Sequence, residues 1–467
     1  MLTNEKITLN KINSKAIRAY DIRGVFEKEL SINDAFVVGF SLASYLKTPE
    51  KNIVVGYDGR LSSITLYKKL CQGLHAGGAS IYSLGLTTTP LLYFACNHNK
   101  NSVSGIMITA SHNPKHYNGF KIVIDGQSTL PEQLQDILSS ITYDYEITVN
   151  QNIDILDYSS VTSDYIHQLT KLVPIDLNSK VIWDAGNGSA AVILKSLLPK
   201  LSGHHILLNG EVDGNFPAHH PDPTIPANLQ QLITAVQTEN ADMGIAFDGD
   251  ADRLGVVTNN GDILFGEHLL AIFAEDCLKR HPQANIIADV KTSTVVLEYI
   301  KNLGGNVELY KCGHAFIKKR MRETQALLAG EMSGHLFFAE NYHGFDDAIF
   351  AACKLLQICY YSKNIISEVL SLTKKRYTTH ELKLPCLNSC KFHAINFLKT
   401  KLIKNQIGYL DIDGIRVEEE KGWWLARASN TEDAIILRFD YDSPLTLAER
   451  KKWIENFLDE FLSCNVA

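Results

Sequence analysis

The sequence predicts an α/β fold, with several layered α/β units followed by a separate α+β domain. Three observations carry this reading. Short apolar runs of strand length alternate with helix-like periodicity over most of the first 360 residues. Many of these runs end directly on an Asp- or Gly-containing turn, the place where α/β folds present ligands. The last hundred residues instead offer strands closed by one terminal helix. No eightfold cadence is visible, which excludes one large barrel.

The elements follow in order. Ile-Val-Val at 53–55 precedes Gly56-Tyr57-Asp58-Gly59, and Ile-Met-Ile at 106–108 precedes Thr109-Ala110-Ser111-His112-Asn113-Pro114. Val-Ile-Trp at 181–183 runs into Asp184-Ala185-Gly186-Asn187-Gly188, the apolar run 243–247 into Asp248, and Ile-Ile-Ala at 286–288 into Asp289. Residues 377–384 and 434–439 read as strands. Ser443-Pro444 starts a helix whose apolar face carries Leu447, Ile454, Phe457, Leu458, Phe461 and Leu462. A chain of 467 residues, at ~100–200 residues per domain, suggests three or four domains. Boundaries near 155, 255 and 368 divide it into 1–155, 156–255, 256–368 and 369–467.

A hydrophobic fraction of 45% and a charged fraction of 21% are those of a globular protein. The net charge of -7, without a basic block, excludes the footprint of a nucleic-acid binder. The N-terminus lacks the apolar core of a signal peptide, and no run approaches the ~18 residues that span a membrane. The nine cysteines are scattered and odd in number, which favours reduced thiols and a cytoplasmic setting over a disulfide framework. Cys386 and Cys390 lack a second pair to complete a zinc site and read as structural.

The chemistry begins at Ser111. A strand edge running into the Asn113-Pro114 break exposes its hydroxyl beside His112, although six such residues could equally form an ordinary polar turn. Asp248-Gly249-Asp250-Ala251-Asp252-Arg253 sets three carboxylates at alternate positions, able to converge on one hard cation. An EF-hand would need glycine at Arg253 and glutamate at Asn259, and it has neither. Three ligands leave room for a phosphate oxygen and water, which favours Mg²⁺ over Ca²⁺. Gly186-Asn187-Gly188-Ser189-Ala190-Ala191 is a weak dinucleotide fingerprint, better read as a tight strand-to-helix turn. No P-loop is present. Gly330-Glu331-Met332-Ser333-Gly334-His335 combines a carboxylate, a hydroxyl and an imidazole suited to sugar hydroxyls. Arg427-Ala428-Ser429-Asn430-Thr431 can bind a phosphate dianion, or can be a polar turn between strands. His314 and Lys121 add groups able to move protons.

Taken together and in order, these segments resemble the α-D-phosphohexomutase superfamily, most closely its bacterial phosphomannomutase/phosphoglucomutase branch. Arg18-Ala19-Tyr20-Asp21-Ile22-Arg23-Gly24 and Gly56-Tyr57-Asp58-Gly59-Arg60 belong to the same match, which covers nearly the whole chain. The resemblance implies three related α/β domains with mixed sheets and a C-terminal α+β domain around a central cleft. It implies that Ser111 is a phosphoserine, and that Asp248, Asp250 and Asp252 hold Mg²⁺ with it. Glu331 and Ser333 would read sugar hydroxyls, with His335 in the same loop. Arg427, Ser429, Asn430 and Thr431 would grip the phosphate that is not reacting. Tyr20, Arg23, Lys121, Arg253, Lys291 and His314 would line the cleft as binding or proton-transfer groups, Lys121 or His314 being the candidate base. The reaction implied interconverts hexose 1- and 6-phosphates through a hexose 1,6-bisphosphate, which is both intermediate and activator. The partners implied are a phosphosugar only, with a monomer as the expected state. Met332 points to mannose or glucose phosphates, since phosphoglucosamine mutases usually carry glutamine there. Thr292, Cys312 and Asp433 depart from the common cysteine, threonine and proline.

Overall fold

The computed structural model describes residues 4–98, 103–150, 152–379, 381–429 and 434–465. Asn430, Thr431 and Asp433 of the last motif lie outside the described residues, as does the side chain of Leu462. The chain divides into two compact units, one of residues 1–266 and 333–362, the other of residues 267–332 and 363–467.

The first unit contains two mixed sheets. In the first, the strand order is Ile22–Val25, Tyr117–Ile124, Ser104–Ile108, Asn52–Tyr57, Ser80–Leu86 and Ile155–Asp157. Asn52–Tyr57 runs parallel to both Ser80–Leu86 and Ser104–Ile108, while Tyr117–Ile124 is antiparallel to Ser104–Ile108. Every residue of Ser104–Ile108 is buried, as its unbroken apolar character requires of an interior strand. The helix Ile32–Tyr45 begins with a capping box between Ser31 and Asp34 and packs its buried face into the same core. In the second sheet, His204–Leu208, Lys180–Asp184 and Met243–Phe247 are parallel. Leu254–Thr258 then returns antiparallel, with Phe247 opposite Leu254. The aspartate-rich residues 248–253 are therefore the connection of a hairpin.

In the second unit, Asn306–Tyr310, Asn285–Asp289 and Leu328–Gly330 form a parallel array. Lys291, His314 and Glu331 each lie just beyond the carboxyl end of one of these strands. The C-terminal sheet is antiparallel, ordered Tyr377–Thr378, Ala434–Tyr441, Gly422–Ala428 and Ile415–Glu419. The helix Pro444–Asn465 adds Ile454, Leu458 and Phe461 to its core, beside Ala394, Leu398 and Leu402. The strand predicted over 377–384 is two short strands, Tyr377–Thr378 and Leu382–Pro385, both paired with Ala434–Tyr441. The alternation of residues survives the break because one partner strand accepts both pieces.

The eight described cysteines are free thiols, and Cys386 packs in the C-terminal core. No helix is long and apolar enough to cross a membrane.

Candidate active site

Ser111 sits three residues beyond its strand with φ 50°, in the left-handed region that side chains with a Cβ disfavour. Its surroundings hold it there. Arg60, fully buried, donates through Nη2 to the carbonyls of Ser111 (2.6 Å) and Asn113 (2.7 Å). Through Nη1 it reaches those of Pro114 (2.7 Å) and Tyr117 (3.1 Å). Thr109 Oγ1 accepts from Ser111 N and donates to Asp58, which pairs with Arg60 at 3.1 Å. The Gly56–Arg60 segment is thus the clamp of the serine loop.

The Ser111 hydroxyl donates to Asp248 Oδ2 at 2.6 Å. Asp248, Asp250 and Asp252 are all fully buried, and one carboxylate oxygen from each lies within 4.8 Å of the others. Lys121 Nζ donates to Asp250 at 2.6 Å and to Asp252 at 2.5 Å, and Thr89 Oγ1 donates to Asp250 at 2.6 Å. Burial and the charges of Asp252 and Asp250 push the Asp248 carboxyl well above the usual carboxylate range. Burial presses Asp252 the same way, but the Lys121 ammonium overrides it and holds that carboxyl at about 2. Oδ1 of Asp250 and Oδ1 of Asp252 are buried without a hydrogen-bond partner. Buried polar atoms are rarely left unmatched. Three carboxylates against one ammonium, with unmatched oxygens converging, fit a hard divalent cation.

Two glycines allow the loops to meet. A Cβ on Gly249 would stand 2.5 Å from the Ser111 carbonyl, and Gly334, at φ 87°, lies against Leu254. The Gly186 and Asn187 residues, both at positive φ, form the tight strand-to-helix turn expected of their motif. It delivers Ser189, whose N and Oγ both donate to the Gly249 carbonyl at 3.0 Å.

Around this centre, Arg23 donates to Asn113 (2.8 Å) and Asp21 (2.7 Å), and Tyr20 is half-buried nearby in the chain. Arg253 donates from Nε to His335 Nε2 at 3.1 Å, and Ser333 is half-buried in the same stretch as His335. His112 lies 3.1 Å from Asp222, and burial with the cations of Arg253 and Arg23 lowers its pKa to about 4. It is therefore neutral at pH 7.

The second unit gathers Lys291, His314, Glu331, Arg427 and Ser429. Lys291 pairs with Glu381 at 3.0 Å, and the ammonium pulls that carboxyl down to about 2. Glu331 accepts from Gly313 N at 2.8 Å, where the buried His314 opens its helix. Arg427 pairs with Asp413 at 3.0 Å. Three residues had no separate signal in the sequence. Asp289 accepts from Lys291 N, Thr292 Oγ1 and Met332 N, joining two of the loops. Buried Lys391 donates to the Ser429 carbonyl at 2.6 Å. Thr89 on Asp250 is the third. Asp289 ends an apolar run and so was visible as a turn; the other two are ordinary residues of helices.

Comparison with known proteins covers the chain from end to end. It matches four family models: phosphoglucomutase/phosphomannomutase alpha/beta/alpha domain I over 14–147, domain II over 163–261, domain III over 265–377 and the C-terminal domain over 381–455. It is 41% identical over 442 residues to the phosphomannomutase/phosphoglucomutase of Pseudomonas aeruginosa, covering 94% of this chain and 95% of that one. To the phosphoglucomutase of Neisseria gonorrhoeae it is 40% identical over 437 residues, 92% of this chain and 94% of the other. Among solved structures, a phosphoglucomutase/phosphomannomutase family protein from Burkholderia thailandensis superimposes with a TM-score of 0.86 at 35% identity, covering 97% and 98% of the two chains.

Proposed function

The chain belongs to the phosphoglucomutase/phosphomannomutase family, and from that premise we propose that it interconverts the 1- and 6-phosphates of mannose or glucose through a phosphoserine at position 111. The observation that carries this is the Ser111 hydroxyl, held by a strained backbone 2.6 Å from Asp248 among three buried carboxylates. Strain of this kind, of order 1–3 kcal/mol, is typical of a functional position.

In this reading Asp248, Asp250 and Asp252, with the phosphoserine, hold Mg²⁺. When bound, the ion neutralises charge on the transferring phosphoryl group. Lys121, already bridging Asp250 and Asp252, supplies a second positive charge beside the serine. The P–Oγ bond of phosphoserine breaks as a bond forms from phosphorus to the free hydroxyl oxygen of the sugar. That hydroxyl's proton passes to a base, Lys121 or His314. The hexose 1,6-bisphosphate then reorients, and its other phosphoryl group returns to Ser111. Arg427, Ser429, Asn430 and Thr431 take the idle phosphate, Glu331, Ser333 and His335 the sugar, and Tyr20, Arg23, Arg253 and Lys291 complete the contacts. The bisphosphate also restores enzyme that has lost its phosphoryl group. We place the enzyme in the cytoplasm as a monomer, with domains divided near 155, 255 and 368.

Mass spectrometry of the purified protein should find phosphate on Ser111. With bisphosphate as primer, mannose and glucose 1-phosphates should be isomerised and Ser111→Ala should lose turnover. Wild-type-like turnover by that variant refutes the proposal, and exclusive use of glucosamine phosphate would reassign the substrate.

A further inference from the structure

Asp346 and Asp347 are adjacent, fully buried and differently engaged. Asp347 caps the helix Ala348–Tyr361, accepting from Phe350 N at 2.8 Å and from the hydroxyls of Tyr165 (2.9 Å) and Tyr342 (2.6 Å). Its own N donates to the Leu336 carbonyl, and a β-bridge joins Asp346 to Phe337. The backbone at 346 is therefore tied on both sides. From it, Asp346 Oδ2 lies 3.0 Å from Nδ1 of His335. Asp252 Oδ1 approaches the same nitrogen at 3.6 Å.

The other face of the imidazole decides where its proton sits. Nε2 lies 3.1 Å from Arg253 Nε. A guanidinium has donors and no acceptor, so Nε2 must offer its lone pair. The ring hydrogen of the neutral imidazole then sits on Nδ1, facing Asp346. This also excludes a metal ion among Asp252, His335 and Asp346, whose potential ligand atoms lie within 4.8 Å. A metal on Nδ1 would leave an N–H on Nε2 pointing at the N–H of Arg253.

We propose that Asp346 is a positioning residue, which holds His335 in the Nδ1–H tautomer and, through Nε2, aims the guanidinium of Arg253. A carboxylate behind a histidine commonly sets which ring nitrogen carries the proton. The consequence for turnover rests on the mutase reading above; the tautomer does not.

Full-length protein labelled with ¹⁵N-histidine, in magnesium buffer, tests the tautomer by long-range ¹H–¹⁵N spectra, with His335→Asn to assign the signal. His335 should show a protonated Nδ1 and a bare Nε2, and Asp346→Asn should shift the ring toward Nε2–H. Kinetically, Asp346→Asn should lower kcat by about 10²-fold, the scale of a small misplacement of a reacting group. In an Arg253→Lys background the same change should add little, because both losses pass through one contact. A wild-type His335 in the Nε2–H form overturns the proposal, and does so even where the variant fails to fold. Unchanged tautomer in Asp346→Asn, or losses that multiply with Arg253→Lys, overturn it as well. Absence of any mutase turnover in the wild type would count against the proposed function, with the spectra still deciding the role of Asp346.

Discussion

Arg60 donates four hydrogen bonds to carbonyls of the Ser111 loop and a fifth, through Nε, to Asp58. Arg60→Met would leave Asp58 buried and unpaired and release the loop. The expected cost is about 3–5 kcal/mol, measurable as a lower denaturant midpoint; an unchanged midpoint would show that the loop holds itself. Gly249 acts by what it lacks. The Ser111 carbonyl is fixed by Arg60, so the Cβ of Gly249→Ala, built 2.5 Å from it, must push the serine and aspartate loops apart. Mg²⁺ affinity by calorimetry should fall by about 10–100-fold, as when a supporting shell is disturbed. Binding as tight as wild type would mean that the loops separate without cost. Ser111 and the aspartates were readable from their order in the chain. Their supports were not, since nothing local ties Thr89 to Asp250, 161 residues away.

The hairpin that carries 248–253 is backed by the turn that follows Lys180–Asp184. Asp184 accepts from Gly186 N at 2.9 Å and faces His219 Nε2 at 2.8 Å. Burial acts to lower the pKa of His219, but the hydrogen bond and charge of Asp184 outweigh it and raise it above the ordinary 6.5. The folded protein thus binds this proton more tightly than the unfolded chain. Its stabilisation is complete below pH 6.5 and is lost as pH rises through the folded value. Unfolding free energy followed upward from pH 6 should decline, and Asp184→Asn should flatten that decline. A slope that is unaffected by the variant would assign it elsewhere. Strands were the most legible elements, because an apolar run ended by Asp or Gly is a local signal. The break between Thr378 and Leu382 was not, since both pieces keep one alternation and differ only in pairing.

Within the unit of residues 267–332 and 363–467, Trp423 is fully buried between two guanidiniums, Arg416 at 4.0 Å from its ring and Arg438 at 5.5 Å. Arg416 donates to the carbonyls of Val290 and Thr292, and Arg438 to that of Lys291. The C-terminal sheet therefore holds the loop that carries Lys291. Trp423→Ala should cost about 3–5 kcal/mol. In calorimetry it should lower the transition of this unit while leaving that of residues 1–266 and 333–362 in place; a uniform shift of all transitions would mean that the molecule unfolds as one.

Fold class, the domain count and the family motifs were written in the linear chain, because each depends on neighbours: an apolar run, a turn residue, a two-residue carboxylate spacing. The partnerships across long separations came from strand order and register. Lys121 reaches Asp250 and Asp252 only because its strand lies antiparallel beside the one that ends at Ser111, and Asp346 meets His335 only because a bridge to Phe337 sets it there. Contacts of this kind join residues that share no local pattern, so their chemistry is decided when the sheets assemble.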